Sequence, residues 1–224
     1  MSDRHHPTAM ELGQFASGEL DDVLAIMVSV HLGQCRRCHG RVELLQQHQA
    51  DQLAELSPDA AYGNDELARM LNLLEDAPAL EPRVPEPTQM EFQGRRIDLP
   101  AALAGLVERA GPWSRVVNRL WNAPIQDHRR AYQLNFIYME PGGSIAAHTH
   151  KGREWTLVLD GHFSDDAGDY APGDLVHCTE ANEHSPRSEQ GCLCLAVIDA
   201  PLHFTSGLAR ALNPFSQLFF KTGG

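Results

Sequence analysis

The stretch Gly142-Gly-Ser-Ile-Ala-Ala-His148-Thr-His150-Lys-Gly-Arg-Glu154-Trp-Thr-Leu-Val-Leu-Asp-Gly161 decides how the second half of this 224-residue chain folds. Residues two apart on a strand face the same side, so His148 and His150 point together into the interior of a sheet structure. Gly152 permits a bend after them, and the bend lets Glu154 join the pair. The apolar run from Trp155 to Leu159 then reads as a strand, closed by the Asp160-Gly161 turn. Two imidazoles and a carboxylate meeting inside one sheet are ligands for a divalent ion.

Working outward, the same pattern of short apolar or alternating runs recurs at 133–139, 175–176 and 192–198. Clusters at Pro141-Gly-Gly143 and Ala171-Pro-Gly-Asp174 separate the runs, which predicts an antiparallel barrel or sandwich over 91–224. Upstream, residues 77–90 hold Pro78, Pro82, Pro85 and Pro87 among Glu81, Arg83 and Glu86, the composition of a semi-rigid linker. Before the linker the apolar spacing becomes helical, and residues 1–76 are expected to form a small all-α lobe. A short first helix carries Met10, Leu12 and Phe15 on one face, and a second covers 19–32 with Leu20, Val23, Leu24, Met27, Val28 and His31 on one side. A third spans 35–56, and Asn64 caps a fourth whose buried stripe is Leu67, Met70, Leu71 and Leu74.

Within the helical lobe, His31-Leu-Gly-Gln-Cys35-Arg-Arg-Cys38 sets an imidazole and two thiols four and three residues apart, on one face of a helix and within reach of a single ion. Gly33 allows a bend between His31 and Cys35. A tetrahedral structural zinc needs a fourth ligand: His6 is the favoured candidate, with His5 and His39 as competitors. Such a site has no open position, so it holds the lobe together and does not catalyse. A redox Cys-x-x-Cys is the competing reading, without the preceding strand of a thioredoxin-like unit.

Charge narrows the partners. The chain carries a formal charge of −12, and residues 1–76 contain five Arg, no Lys and thirteen Asp plus Glu, a balance of −8. That surface repels phosphates and excludes direct nucleic-acid binding by the first lobe, while it attracts a basic protein. No apolar run approaches the roughly 18 residues that cross a bilayer. The opening Met-Ser-Asp-Arg-His-His lacks the order of a signal peptide, and five cysteines fit a reducing compartment, so a cytoplasmic location without membrane contact is expected.

Two resemblances sharpen this reading. The stretch from Gly142 to Gly161 fits the cupin pattern G-x5-H-x-H-x3-E-x6-G, which implies a double-stranded β-helix barrel holding an ion through His148, His150 and Glu154. The second cupin motif implies His184 as the fourth ligand, eleven residues past Gly173; Pro172 and Ser188 depart from that motif. Such a donor set accepts zinc, iron, manganese or nickel. His177, His128, His162 and His203 are read as structural or surface residues, and Cys178, Cys192 and Cys194 as core thiols, a redox role being the rival.

The first lobe resembles the zinc-binding anti-sigma domain of regulators of extracytoplasmic-function sigma factors. That resemblance implies His6, His31, Cys35 and Cys38 as zinc ligands and a sigma factor as partner. Helical zinc lobe, linker and cupin together resemble the ChrR type of anti-sigma factor, which implies release of the sigma factor under singlet oxygen or related oxidants. No enzymatic activity is then expected. The alternative is a metal-dependent cupin dioxygenase or a cupin sensor of small molecules, with the open metal position as its reaction or binding site.

Overall fold

The computed structural model describes residues 5–56, 64–75, 86–117, 119–127 and 132–205, with the side chains of 64, 66, 74, 75 and 117 excepted. The cap role of Asn64, the burial of Leu74, the place of His128 and most of the proline-rich segment therefore lie outside the described residues.

Four helices open the chain: α1 (Ala9–Ala16), α2 (Asp22–Leu32), α3 (Arg36–Ala54) and α4 (Asn64–Glu75). A reciprocal capping box starts α1. The Thr8 hydroxyl accepts from the Glu11 N–H at 3.2 Å, and the Glu11 carboxylate accepts from the Thr8 N–H at 2.7 Å. Asp21 caps α2 through the Val23 N–H at 3.0 Å, which moves its start from the expected 19 to 22. Gly33 keeps an ordinary helical φ of −62°; the turn is made at Cys35, whose extended backbone forms the N-cap of α3.

A hairpin follows, β1 (Thr88–Phe92) and β2 (Arg95–Leu99), so strand structure begins within the segment expected as linker. Its two-residue turn takes positive φ at both Gln93 and Gly94. A 3-10 turn (Ala101–Leu103) and α5 (Ala104–Glu108) lead into the barrel. The barrel comprises β3 (Ser114–Val117), β4 (Leu120–Ile125), β5 (Gln133–Met139), β6 (Gly143–Ser144), β7 (His148–His150), β8 (Glu154–Gly161), β9 (Phe163–Asp165), β10 (Gly168–Tyr170), β11 (Leu175–Cys178), β12 (Arg187–Ser188), β13 (Cys192–Ile198) and β14 (Leu202–Phe204). One sheet runs β11-β8-β13-β5-β4-β3 and a smaller one β10-β9-β12-β6, with β14 paired to β7. All these pairings are antiparallel.

The larger sheet is a wall between two cores. Met139, Val158, Val176, Cys178, Cys192 and Cys194 face the barrel interior, where Phe163 and Tyr170 of the smaller sheet meet them. Alternate residues of the same strands, Phe136, Trp155, Leu157, Leu175, Leu193 and Leu195, belong to a second cluster with Leu12, Val23, Met27 and Val28 of the helices. Because both faces of the wall are covered, all seven residues of β13 are buried and the strand reads as a continuous apolar run.

The helical lobe thus closes its core on the sheet and not on α4. Leu67, Met70 and Leu71 are 58%, 62% and 50% exposed, so the described part of the stripe expected to be buried on α4 is bare, and Leu73 beside it is 72% exposed. Met10, expected on the inner face of α1, is exposed as well.

Candidate metal centres

Inside the barrel, β7 contributes His148 and His150 from one face, and Glu154 opens β8. Gly152 lies in the connecting bend because a Cβ there would collide with Asp199 and Ala200. His184 arrives from the loop after β11, held by backbone hydrogen bonds of 3.1 Å in both directions with His148. The Nε2 atoms of His184 and His148 are 2.9 Å apart, those of His150 and His184 3.1 Å, and His150 Nε2 stands 2.8 Å from Glu154 Oε2. Donors about 2.1 Å from one ion and at right angles to each other lie roughly 3 Å apart, so the spacing fits an octahedral or five-coordinate ion with an open side. Beside it is a cavity of about 50 Å³ with apolar walls that include Met139, Phe163, Val176 and Cys194.

The surrounding bonds fix the donors. His148 Nδ1 donates to the Ala146 carbonyl at 2.8 Å, which turns the lone pair of Nε2 inward. Thr156 donates to Glu154 Oε1 at 3.0 Å, while the buried Glu154 Oε2 is approached by the His150 and His184 Nε2 atoms of the cluster, at 2.8 and 3.8 Å, as expected of an oxygen kept for a shared cation. Burial, helped by the His184 charge, holds His148 down to about 4. Burial opposes ionisation of Glu154, yet His150 and the other imidazoles draw it down to about 2. His184, also opposed by burial, is raised to about 10 by Asp165, Cys178 and Glu154. A protonated His184 cannot ligate, so an ion that takes it as a ligand displaces its proton.

The helical cluster is spaced a little more widely. His6 Nδ1 stands 3.3 Å from His31 Nε2 and 3.5 Å from each of the Cys35 and Cys38 sulfurs. For tetrahedral zinc, with bonds of about 2.0–2.3 Å, the edges of the polyhedron are about 3.3–3.7 Å. His31 Nδ1 donates to a carbonyl, that of Gly173, at 2.7 Å, so its Nε2 lone pair is free to face the thiols. Burial, with the neighbouring Cys35 thiol, pushes Cys38 up to about 11, and burial lowers His31. The competitors for the fourth position sit elsewhere: His5 contacts Asp174 at 3.3 Å, and His39 contacts Glu43 at 3.5 Å on the surface. In each cluster the four donor atoms lie within 4.8 Å of one another.

Comparison with known proteins now adds to the geometry. Residues 108–200 match the family described as ChrR cupin-like domain. The anti-sigma-E factor ChrR of Cereibacter sphaeroides is 29% identical over 97% of this chain and 100% of its own length. The solved ChrR chain from the complex of Rhodobacter sphaeroides SigE with the anti-sigma ChrR superposes with a TM-score of 0.65 at 27% identity, covering 88% of this chain and 99% of that one. This chain has the ChrR architecture.

The structure brings together all eight residues singled out from the ChrR-like sequence, in two groups of four. His177, set aside in the sequence, turns to the outer face of β11 and stacks on Trp155 with ring centroids 4.8 Å apart. His162 and His203 are exposed. Cys178, Cys192 and Cys194 are buried thiols; a hydrogen bond from Cys194 lowers Cys192, and the same bond together with burial raises Cys194. Sequence reasoning missed Glu11, which is buried and accepts from Trp155 Nε1 at 2.6 Å across the lobe boundary. The signal was present in Thr8-x-x-Glu11, the spacing of a capping box.

Proposed function

We propose that this protein is an anti-sigma factor that sequesters an extracytoplasmic-function sigma factor and releases it under oxidative stress. The observation that carries the reading is the whole-chain likeness to ChrR, in sequence and in the SigE-bound structure. The bare apolar face of α4, in a lobe of net charge −8, supplies a surface for a protein partner. In this reading residues 1–76 grip the sigma factor, 77–90 tether, and 91–224 sense. His6, His31, Cys35 and Cys38 hold zinc, the ion suited to two thiolates and two imidazoles in a closed tetrahedron. His148, His150, Glu154 and His184 hold zinc, iron, manganese or nickel with a position left open towards the cavity. The protein is a regulator and not an enzyme, its partner is a protein, and it works in the cytoplasm; no helix among the described residues is long and apolar enough to cross a membrane.

Co-expression with an extracytoplasmic-function sigma factor of the same organism, followed by size-exclusion chromatography and transcription in vitro, tests the reading. A stable one-to-one complex that silences transcription supports it. Unimpeded transcription at excess of the metal-loaded chain would refute it.

A further inference from the structure

The strands that build the barrel cluster present their other face to the helical cluster. Glu154 points into the barrel, and the next residue, Trp155, points out and donates to Glu11. Glu11 in turn accepts from the N–H and hydroxyl of Thr8, at 2.7 and 2.8 Å, two residues beyond His6. On β11, Cys178 lies inside, 3.8 Å from His184, and the turn that leads into this strand offers the Gly173 carbonyl to His31. That turn is pinned to β8: the Gly173 N–H donates to Val158 O at 2.9 Å, and the Val158 N–H donates to Asp174 O at 3.0 Å.

We infer that the barrel supplies the outer shell of the helical metal cluster, with Gly173 as the positioning residue of His31 and Trp155, through Glu11 and Thr8, that of His6. This rests on the metal reading of His6, His31, Cys35 and Cys38. A carbonyl only accepts, so the Gly173 bond selects the His31 tautomer with the proton on Nδ1 and the lone pair on Nε2, and it fixes the ring plane as well. His31 is buried, and water does not replace that acceptor. The position needs glycine: φ is +91°, and a Cβ would stand 2.7–3.1 Å from the Gln34 side chain, at the junction of α2 and α3. One consequence is a mechanical route between the clusters, since any shift of β8 or β11 when the barrel ion or its surroundings change moves the groups that hold the two imidazoles of the other site. The two thiols, one at the N-cap and one in the first turn of α3, have no such link to the barrel in the bonds described.

The test uses the full chain with cobalt(II) in place of the native ion, because the thiolate-to-cobalt absorption band reports the Cys35/Cys38 cluster alone. Release of cobalt to excess chelator is expected to be 10–100-fold faster in Gly173→Ala and about tenfold faster in Trp155→Phe, which keeps the ring and loses only the N–H donor. The band itself should persist, because four ligands remain. In the unsubstituted protein, long-range nitrogen–proton NMR should find His31 protonated on Nδ1 and protected from solvent exchange. Release at the unsubstituted rate in folded Trp155→Phe and Gly173→Ala, or a His31 ring proton that exchanges freely, overturns the inference while leaving the metal reading intact. If Gly173→Ala does not fold, the Trp155→Phe rate and the NMR signature decide. No thiolate-to-cobalt band in the unsubstituted chain would remove the metal reading itself, and the outer shell with it.

Discussion

The two ligand clusters are built on opposite plans. The helical cluster takes its donors from chain segments that have little core of their own; His6 stands at tetrahedral edge distances from the other three donors, so four protein groups suffice to fill a tetrahedral site. The barrel cluster sits on β7, β8 and a loop bridged to β7, in a frame that is packed on both sides without it, and it opens on a cavity. The contrast separates a cluster where an ion would hold its part of the molecule together from one that an ion would merely occupy. A closed site stores its binding energy as structure, whereas an open one keeps a position for chemistry or sensing.

The sharpest break in that contrast comes from removing each ion in turn. Cys35→Ser with Cys38→Ser should lose one metal equivalent, most of the helicity of residues 1–54 and all sigma binding, because apparent zinc energies of about 10–16 kcal/mol are folding energy in such a lobe. Metal analysis with circular dichroism checks it, and a helical, inhibitory, metal-free variant would reverse the assignment of roles. His148→Ala with Glu154→Ala should lose the other equivalent yet keep fold and sigma binding; only oxidant-triggered release should disappear. Retained release in that variant would separate signalling from the barrel ion.

The contrast also has a surface form, since the helical lobe has one face closed by the sheet and another, on α4, left bare. Leu71→Asp should change thermal stability by no more than about 0.5 kcal/mol, as for any exposed site. It should nevertheless weaken sigma binding by about 2 kcal/mol or more, roughly thirtyfold, measurable by calorimetry. Unaltered binding would move the partner surface off α4.

The smallest effect lies at the boundary between the plans. Burial lowers His177 below its ordinary 6.5, partly offset by Glu11 3.6 Å away. A folded-state value below the unfolded one means stability that is present above about pH 6.5 and lost as pH falls through the folded value. His177→Phe, which keeps the stack on Trp155, should flatten that acid-side loss by a few tenths of a kcal/mol in denaturant titrations at about pH 7 and about pH 5.

The legibility of these features follows their range. Both donor quartets could be read because most of each is local: three ligands within eight residues in the first cluster, three within seven in the second. The barrel strands β5 and β13 stood out as apolar runs at the residues where they form. The face of α4 was misjudged because an amphipathic period shows that a helix has an apolar side and says nothing about what covers it. The covering of α2 by β11 and the tie of α1 to β8 could not be seen either, since apolar strands hide which residues face which core.

By itself, then, the sequence determined the two lobes, the ligand types and their grouping, all of which depend on spacing along the chain. Tertiary structure decided that one sheet wall serves both cores, that Gly173 accepts from His31 while Glu11 ties the start of α1 to Trp155, and that the described side chains of α4 stay bare. Those features depend on contacts such as Glu11 to Trp155 and His31 to Gly173, more than a hundred residues apart, which no local period encodes and only the packed chain brings within hydrogen-bond reach.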